Sequence, residues 1–312
     1  MDIIYTLGTG SNWSNNEIRF SVRSLFKNLK GFRNIYIIGE KPDFLLYDTE
    51  IDGHSIFHMP FPDLYGHRNA DGNIIAKLLH AAQNDDISDD FIFINDDNYF
   101  LKPIRVEDVK PFHKGNINEV DPQDFLGIWG KRLGRTRMHL SQAGINPLHF
   151  DHHAPFPMKK SLMIRTYMPF DFMTDIGLTV KSIYGSIHYP DAPRMNDEKV
   201  MFRARFELKY IRARCTNCLY LAHNDDGLTS SMKYFLFENF PVPSDFEISP
   251  IDDKIINVAE WQFLKRPYEK GSQLFVKYYP LKKNLHKLFI NNDTYLVRKK
   301  MNYHLEKIVR DL

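Results

Sequence analysis

The first hundred residues alternate short apolar runs with helix-spaced ones, and that alternation restricts the chain to a layered α/β architecture. Residues 2–7 read as a buried strand, followed by a Gly/Ser/Asn loop over 8–16. Over 17–28, Ile18, Val22, Leu25 and Phe26 recur at helical spacing. A second strand spans 35–38 and is closed by Gly39 and Pro42; a third, weaker one lies around 55–59. The spacing of Ile74, Leu78 and Leu79 predicts a helix over 73–83, and the apolar run 91–94 predicts a fourth strand that stops at Asn95-Asp96-Asp97. This order implies a mostly parallel central sheet flanked by helices. Ligands of such sheets bind outside the carboxyl ends of the strands, where the 8–16 loop and the 95–97 turn both fall.

A chain of 312 residues suits one large α/β domain with additions. The expected division is a domain over 1–250, with an insertion at about 105–150, and a mostly helical C-terminal extension over 251–312. The extension carries the basic clusters Lys282-Lys283 and Arg298-Lys299-Lys300. A formal net charge of +2 excludes polyanion binding driven by bulk charge and leaves a local basic patch open. Cys215 and Cys218 are too few for a disulfide framework or a four-ligand zinc site, and are expected to be free thiols in a reducing compartment. The N-terminus lacks a signal-peptide pattern. No stretch approaches the ~20 apolar residues of a spanning helix, so a cytoplasmic protein without a membrane span is expected.

Carboxylates at a strand end project into the cleft, so Asp96 and Asp97 are candidates to hold Mg²⁺ or Mn²⁺ through oxygen, completed by phosphates. The same letters also suit a simple turn. His223-Asn224-Asp225-Asp226 forms a second acidic turn after the apolar stretch 219–222, as a helix cap or as a further contributor to the cleft. His153, in a rigid Pro-rich setting, is a candidate general base because imidazole titrates near neutrality. Arg19, Arg23, Arg68 and Arg194 are candidates to clamp a diphosphate; Arg19 and Arg23, four apart, share one helix face. Gly8-Thr9-Gly10-Ser11 lacks both the Lys-Ser/Thr ending of a triphosphatase loop and the third glycine of a dinucleotide fingerprint, which excludes those two readings.

Taken together, the motifs resemble the Stealth family of sugar-phosphate transferases, which includes bacterial capsule polymerases and the lysosomal-enzyme GlcNAc-1-phosphotransferase. The opening strand is one block. A second runs from Asn16-Glu17-Ile18-Arg19-Phe20-Ser21-Val22-Arg23-Ser24-Leu25 to Phe91-Ile92-Phe93-Ile94-Asn95-Asp96-Asp97. A third is His153-Ala154-Pro155-Phe156-Pro157-Met158, with Arg194 and Asp197 further on. The last is Asn224-Asp225-Asp226, closing with Phe240-Pro241-Val242-Pro243-Ser244-Asp245-Phe246-Glu247. The resemblance touches most of residues 1–247.

It implies a GT-A-like nucleotide-sugar fold, a divalent metal at Asp97 with Asp225, and His153, Asp225 and Arg194 in catalysis. Thr6, Gly8, Ser11, Arg19, Arg23, Arg68, Asn73 and Asp96 are the corresponding donor-binding candidates. The family usually follows its opening strand with Trp-Val-Asp-Gly-Ser-Asp, whereas this chain has Leu7-Gly8-Thr9-Gly10-Ser11-Asn12, without the two acids. The expected reaction is transfer of sugar 1-phosphate from a UDP-sugar to an acceptor hydroxyl. Plain glycosyl transfer with release of UDP is the alternative. A glycan is the acceptor the family implies; the basic run over 131–137 keeps DNA open, with hydroxymethylated bases of the phage type as acceptors. A non-catalytic sugar-binding module is the reading outside enzymology.

Overall fold

In the computed structural model, which describes residues 1–195 and 198–249, the first strand is buried almost throughout, as the centre of a parallel sheet must be. The expected extension over 251–312 with its basic clusters, and Asp197, lie outside the described residues.

In chain order the first half comprises β1 (Asp2–Leu7), α1 (Asn16–Asn28), β2 (Leu29–Lys30), β3 (Ile35–Gly39), β4 (Glu50–Ile51), β5 (His54–Met59), α2 (Ala70–Ala81), β6 (Asp90–Ile94), β7 (Asn98–Phe100) and β8 (Ile104–Arg105). The second half comprises α3 (Ile128–Gln142), β9 (Phe156–Lys159), α4 (Met163–Tyr167), α5 (Val180–His188), β10 (Lys199–Phe202), α6 (Leu208–Cys215), β11 (Tyr220–His223) and α7 (Ser230–Asn239). The main sheet has the order β4-β5-β3-β1-β6-β9. Its inner pairings β5-β3, β3-β1 and β1-β6 are parallel, while β4 and β9 run antiparallel at the edges. A second sheet, β10-β11-β7, starts directly after the 95–97 turn.

The period of two along each strand builds two apolar layers. Ile3, Tyr5, Ile35 and Ile37 face Ile18, Val22 and Leu25 of α1. Ile4, Tyr36, Ile38, Phe91 and Phe93 face Ile75 and Leu78 of α2 and Ile183 of α5. A third cluster packs Tyr99, Val200, Phe202 and Leu221 of the small sheet against Trp13, Ile211 and Leu236. The expected mixed α/β architecture with a mostly parallel central sheet is therefore present.

The helix expected over 73–83 starts three residues earlier, at Ala70, because the Asn69 side chain accepts the Gly72 amide and caps it. Cys215 and Cys218 are free and buried, as expected, and burial pushes the Cys215 thiol up to about 12. Among the described residues no helix is long and apolar enough to cross a membrane.

Candidate functional site

The chain runs outward from β1 through β3 to β5, then returns to β6 on the other side of β1, so the strand order reverses between β1 and β6. Pairing of Tyr5 with Ile94 brings the 8–16 loop and the 95–97 turn to the same end of this reversal. The loop closes on itself through Ser11, whose Oγ accepts the Trp13 and Asn15 amides at 3.1 and 2.8 Å and donates to Glu17 Oε2 at 2.8 Å. At its start, a Cβ on Gly8 would sit 3.1 Å from Asp63 Oδ2. Beneath it the buried amine of Lys77 donates to the Leu7 carbonyl at 2.6 Å and pairs with Asp63.

Asp97 and His153, 56 residues apart in sequence, meet here: His153 Nδ1 lies 3.0 Å from Asp97 Oδ2. The other carboxylate oxygen accepts from Asn98 Nδ2 at 2.6 Å. Two lysines build the turn that presents His153. Lys114 Nζ donates to the Asp151 carbonyl at 2.7 Å, and Lys181 Nζ to those of His152 and Ala154 at 3.0 and 2.7 Å. His152 points away and is structural, donating Nε2–H to the Phe112 carbonyl at 2.7 Å while its ring stacks on Phe112. Asp151 accepts from the Trp129 indole.

The charges around Asp97 are unevenly balanced. Burial raises the Asp97 carboxyl, but the charge and hydrogen bond of His153, with His223 and Lys199 beyond, bring it below the usual range. Its neighbour Asp96 moves the other way, raised by burial and by the negative charges of Asp97 and Glu17. On the basic side, burial together with Lys114 and Lys181 lowers the Lys199 amine to about 6. Lys114 and Lys181 are each lowered to about 8, again chiefly by burial.

The other predicted residues divide sharply. Arg19 and Arg23 do point together, but their common partner is a carboxylate of this chain, which corrects their expected role as a diphosphate clamp. Arg19 Nη1 lies 2.7 Å from Glu247 Oε2, and Arg23 Nε 2.7 Å from Glu247 Oε1, with all three side chains buried. Asn73 is occupied as well: its amide bridges the backbone N–H and C=O of Tyr65. Arg68 is exposed and faces Asp175 at 3.6 Å. Thr6 is half-buried near the end of β1. The exposed Arg194 lays its guanidinium 3.2 Å from where a Cβ on Gly115 would stand.

Asp225 is exposed, in a turn capped by the Asn224 side chain on the Gly227 amide, and His223 senses the charges of both Asp97 and Asp225. Charged residues that the structure places around this end of the sheet and that the sequence reading did not single out are Glu17, Lys77, Lys114, Asp151, Lys181 and Lys199. For Lys199 a signal existed: Lys199 and Met201 alternate with the buried Val200 and Phe202, which puts the lysine on the face of β10 turned from the core.

Among the described residues no three His, Cys, Asp or Glu side chains converge into a ready-made metal centre. Asp96, Asp97 and the buried, unpartnered Oδ1 of Asn95 nevertheless supply oxygen at the end of β6, the donor type that Mg²⁺ and Mn²⁺ prefer when phosphates complete their shell. No protein-family profile matches the chain. No curated protein matches its sequence either.

Proposed function

We propose that this chain is a metal-dependent transferase that moves sugar 1-phosphate from a UDP-sugar to an acceptor hydroxyl, on a GT-A-like scaffold of the Stealth kind. The observation that carries the reading is the Asp97–His153 contact at the strand-order reversal of a parallel sheet. Asp97 fixes the tautomer of His153 by accepting a hydrogen bond from Nδ1–H, which leaves Nε2 to accept the proton of the acceptor hydroxyl. The acceptor oxygen bonds to the sugar-bearing phosphorus, the phosphoanhydride bond breaks, and UMP leaves with the electron pair. Asp97 and Asp96, with Asp225 at the margin, would hold the Mg²⁺ or Mn²⁺ that neutralises charge on the leaving phosphate when bound. Arg194, bridged to His113 beside Lys114, is a further contact for an anionic ligand.

Glycosyl transfer remains a second reading because of one observation. The loop that lacks the two acids of the family closes on Glu17 instead, through Ser11. In that reaction the acceptor attacks the anomeric carbon and UDP leaves. A glycan is the favoured acceptor. The basic run of α3 supports DNA less than its letters do: Arg132 is buried against Asp71, Arg135 leans on Asp171, and Arg137 packs on the Phe125 ring. Incubation with a panel of UDP-sugars and Mn²⁺ or Mg²⁺, followed by chromatography of the released nucleotide, tests the proposal. UMP is the expected product, UDP transfers the assignment to glycosyl transfer, and sugar binding without release of either favours a binding module.

A further inference from the structure

The contact between Asp97 and His153 has a third party, the residue that follows Asp97 in the chain. We propose that Asn98 is a positioning residue whose amide aims the Asp97 carboxylate at His153 and so fixes which imidazole nitrogen carries the proton; this rests on the reading of His153 as general base above.

Asn98 opens β7 and is fully buried, as are Tyr99 and Phe100 after it. Asparagine is depleted in strands, and the cross-strand neighbour here is the apolar Ala222. The side chain satisfies only one of its two polar ends. Nδ2 donates to Asp97 Oδ1 at 2.6 Å, while Oδ1 is buried without a hydrogen-bond partner among the described residues. A buried amide left half-satisfied costs stability that an apolar residue of similar size would not. The donating end is therefore what this position uses.

The backbone around that amide is clamped by one stripe of α1. Ser21 Oγ donates to the Asn98 carbonyl at 2.5 Å and meets the Tyr5 hydroxyl at 2.7 Å. Ser24 Oγ accepts the Phe100 amide at 3.1 Å, and Asn28 Nδ2 donates to the Phe100 carbonyl at 2.6 Å. These three residues, spaced by three and four, share a helix face and hold β7 along its length. From this fixed strand the Asn98 amide reaches back to one oxygen of Asp97, and His153 Nδ1 lies 3.0 Å from the other. Held at both oxygens, the carboxylate cannot turn about its side-chain torsions without breaking a bond. Oδ2 then accepts from Nδ1–H, and Nε2 stays unprotonated. Without the amide, Asp97 is free to turn and the tautomer is no longer imposed.

The experiment is a long-range proton–nitrogen correlation spectrum of the full-length, metal-free chain with nitrogen-labelled histidines. It is recorded at about pH 9, above the usual imidazole range, and the His153 signals are identified by their loss in His153→Gln. The wild type should show a protonated Nδ1 and a bare Nε2. Asn98→Leu should move His153 to a mixture of tautomers, as should Asn98→Ala, which adds no bulk if leucine impairs folding. Asn28→Ala, which loosens the other end of β7 and leaves Asp97 untouched, should keep the wild-type pattern. In turnover of a UDP-sugar, kcat should fall about tenfold or more in the Asn98 variants at a nearly unchanged KM. A wild-type tautomer in a folded Asn98 variant, an equal change in Asn28→Ala, or a wild-type His153 protonated at Nε2 would overturn the positioning role. Because the spectrum needs neither substrate nor metal, an Asn98-dependent tautomer in a chain that releases no nucleotide would count against the transferase and leave the positioning role standing.

Discussion

Arg19 and Arg23 on α1 and the Asp97–His153 pair at the end of β6 are both clusters of charge drawn from distant parts of the chain, yet they end in opposite states. The arginines converge on one buried carboxylate, Glu247, and take further backbone carbonyls at Ser249 and Phe240, so every charge there has a partner inside the protein. Around Asp97 the carboxyls are shifted in opposite directions, Lys114 and Lys181 add like charge to Lys199, and among the described residues Lys199 has no ion pair. A saturated cluster fastens the 240s segment to α1. An unsaturated one retains capacity for a ligand.

Removing Glu247 should have the largest effect on folding. Glu247→Ala strands two buried guanidinium groups and is expected to destabilise the fold by about 3–5 kcal/mol in chemical denaturation. A loss below about 1 kcal/mol would mean that water reaches the arginines and that the contrast between the regions is false. His153→Gln comes next: nucleotide release should fall about 100-fold or more at a nearly unchanged melting temperature, since the proposed general base is lost but the turn stays held by Lys114 and Lys181. If kcat is preserved in that variant, His153 is structural.

Lys199 sharpens the comparison through pH. Burial and the charges of Lys114 and Lys181 hold its amine at about 6 in the folded protein, against about 10.4 in an unfolded chain. Between those values the unfolded chain binds more protons, so this lysine lowers stability progressively as pH falls from about 10 toward about 6. Lys199→Met should therefore melt higher than wild type near pH 7, with the gain fading toward about pH 10. A pH-independent difference would contradict the crowding of charge. Arg68→Ala should show the smallest effect, under about 1 kcal/mol, because its ion pair with Asp175 is exposed on both sides.

The layered core was legible because local periodicity carries it. The 2–7, 35–38 and 91–94 runs became β1, β3 and β6 within a residue, and the turn after β6 followed from where its apolar run stops. Asp97 and His153 were each legible as chemistry, but their contact depends on how β9 and the turn before it dock beside β6. Arg19 and Arg23 misled for the same reason: their four-residue spacing is local, whereas Glu247 lies 228 and 224 residues further on. Lys114 and Lys181 carry no local mark at all, since an isolated lysine in a loop or helix reads as a solvated one until the carbonyls it binds are known. The insertion expected at about 105–150 holds α3, whose Arg132 turned inward onto Asp71 while Lys131 stayed exposed.

The most direct test is to measure the unfolding free energy and the rate of nucleotide release from a UDP-sugar on the same preparation of Asp97→Asn. Relief of the repulsion with Asp96 offsets the lost attraction to His153, so stability should stay within about 1 kcal/mol of wild type. Nucleotide release should fall at least about 100-fold, as expected when a group stabilising transition-state charge is removed. Wild-type release from a folded Asp97→Asn would show that the charge left over at the end of β6 serves no reaction.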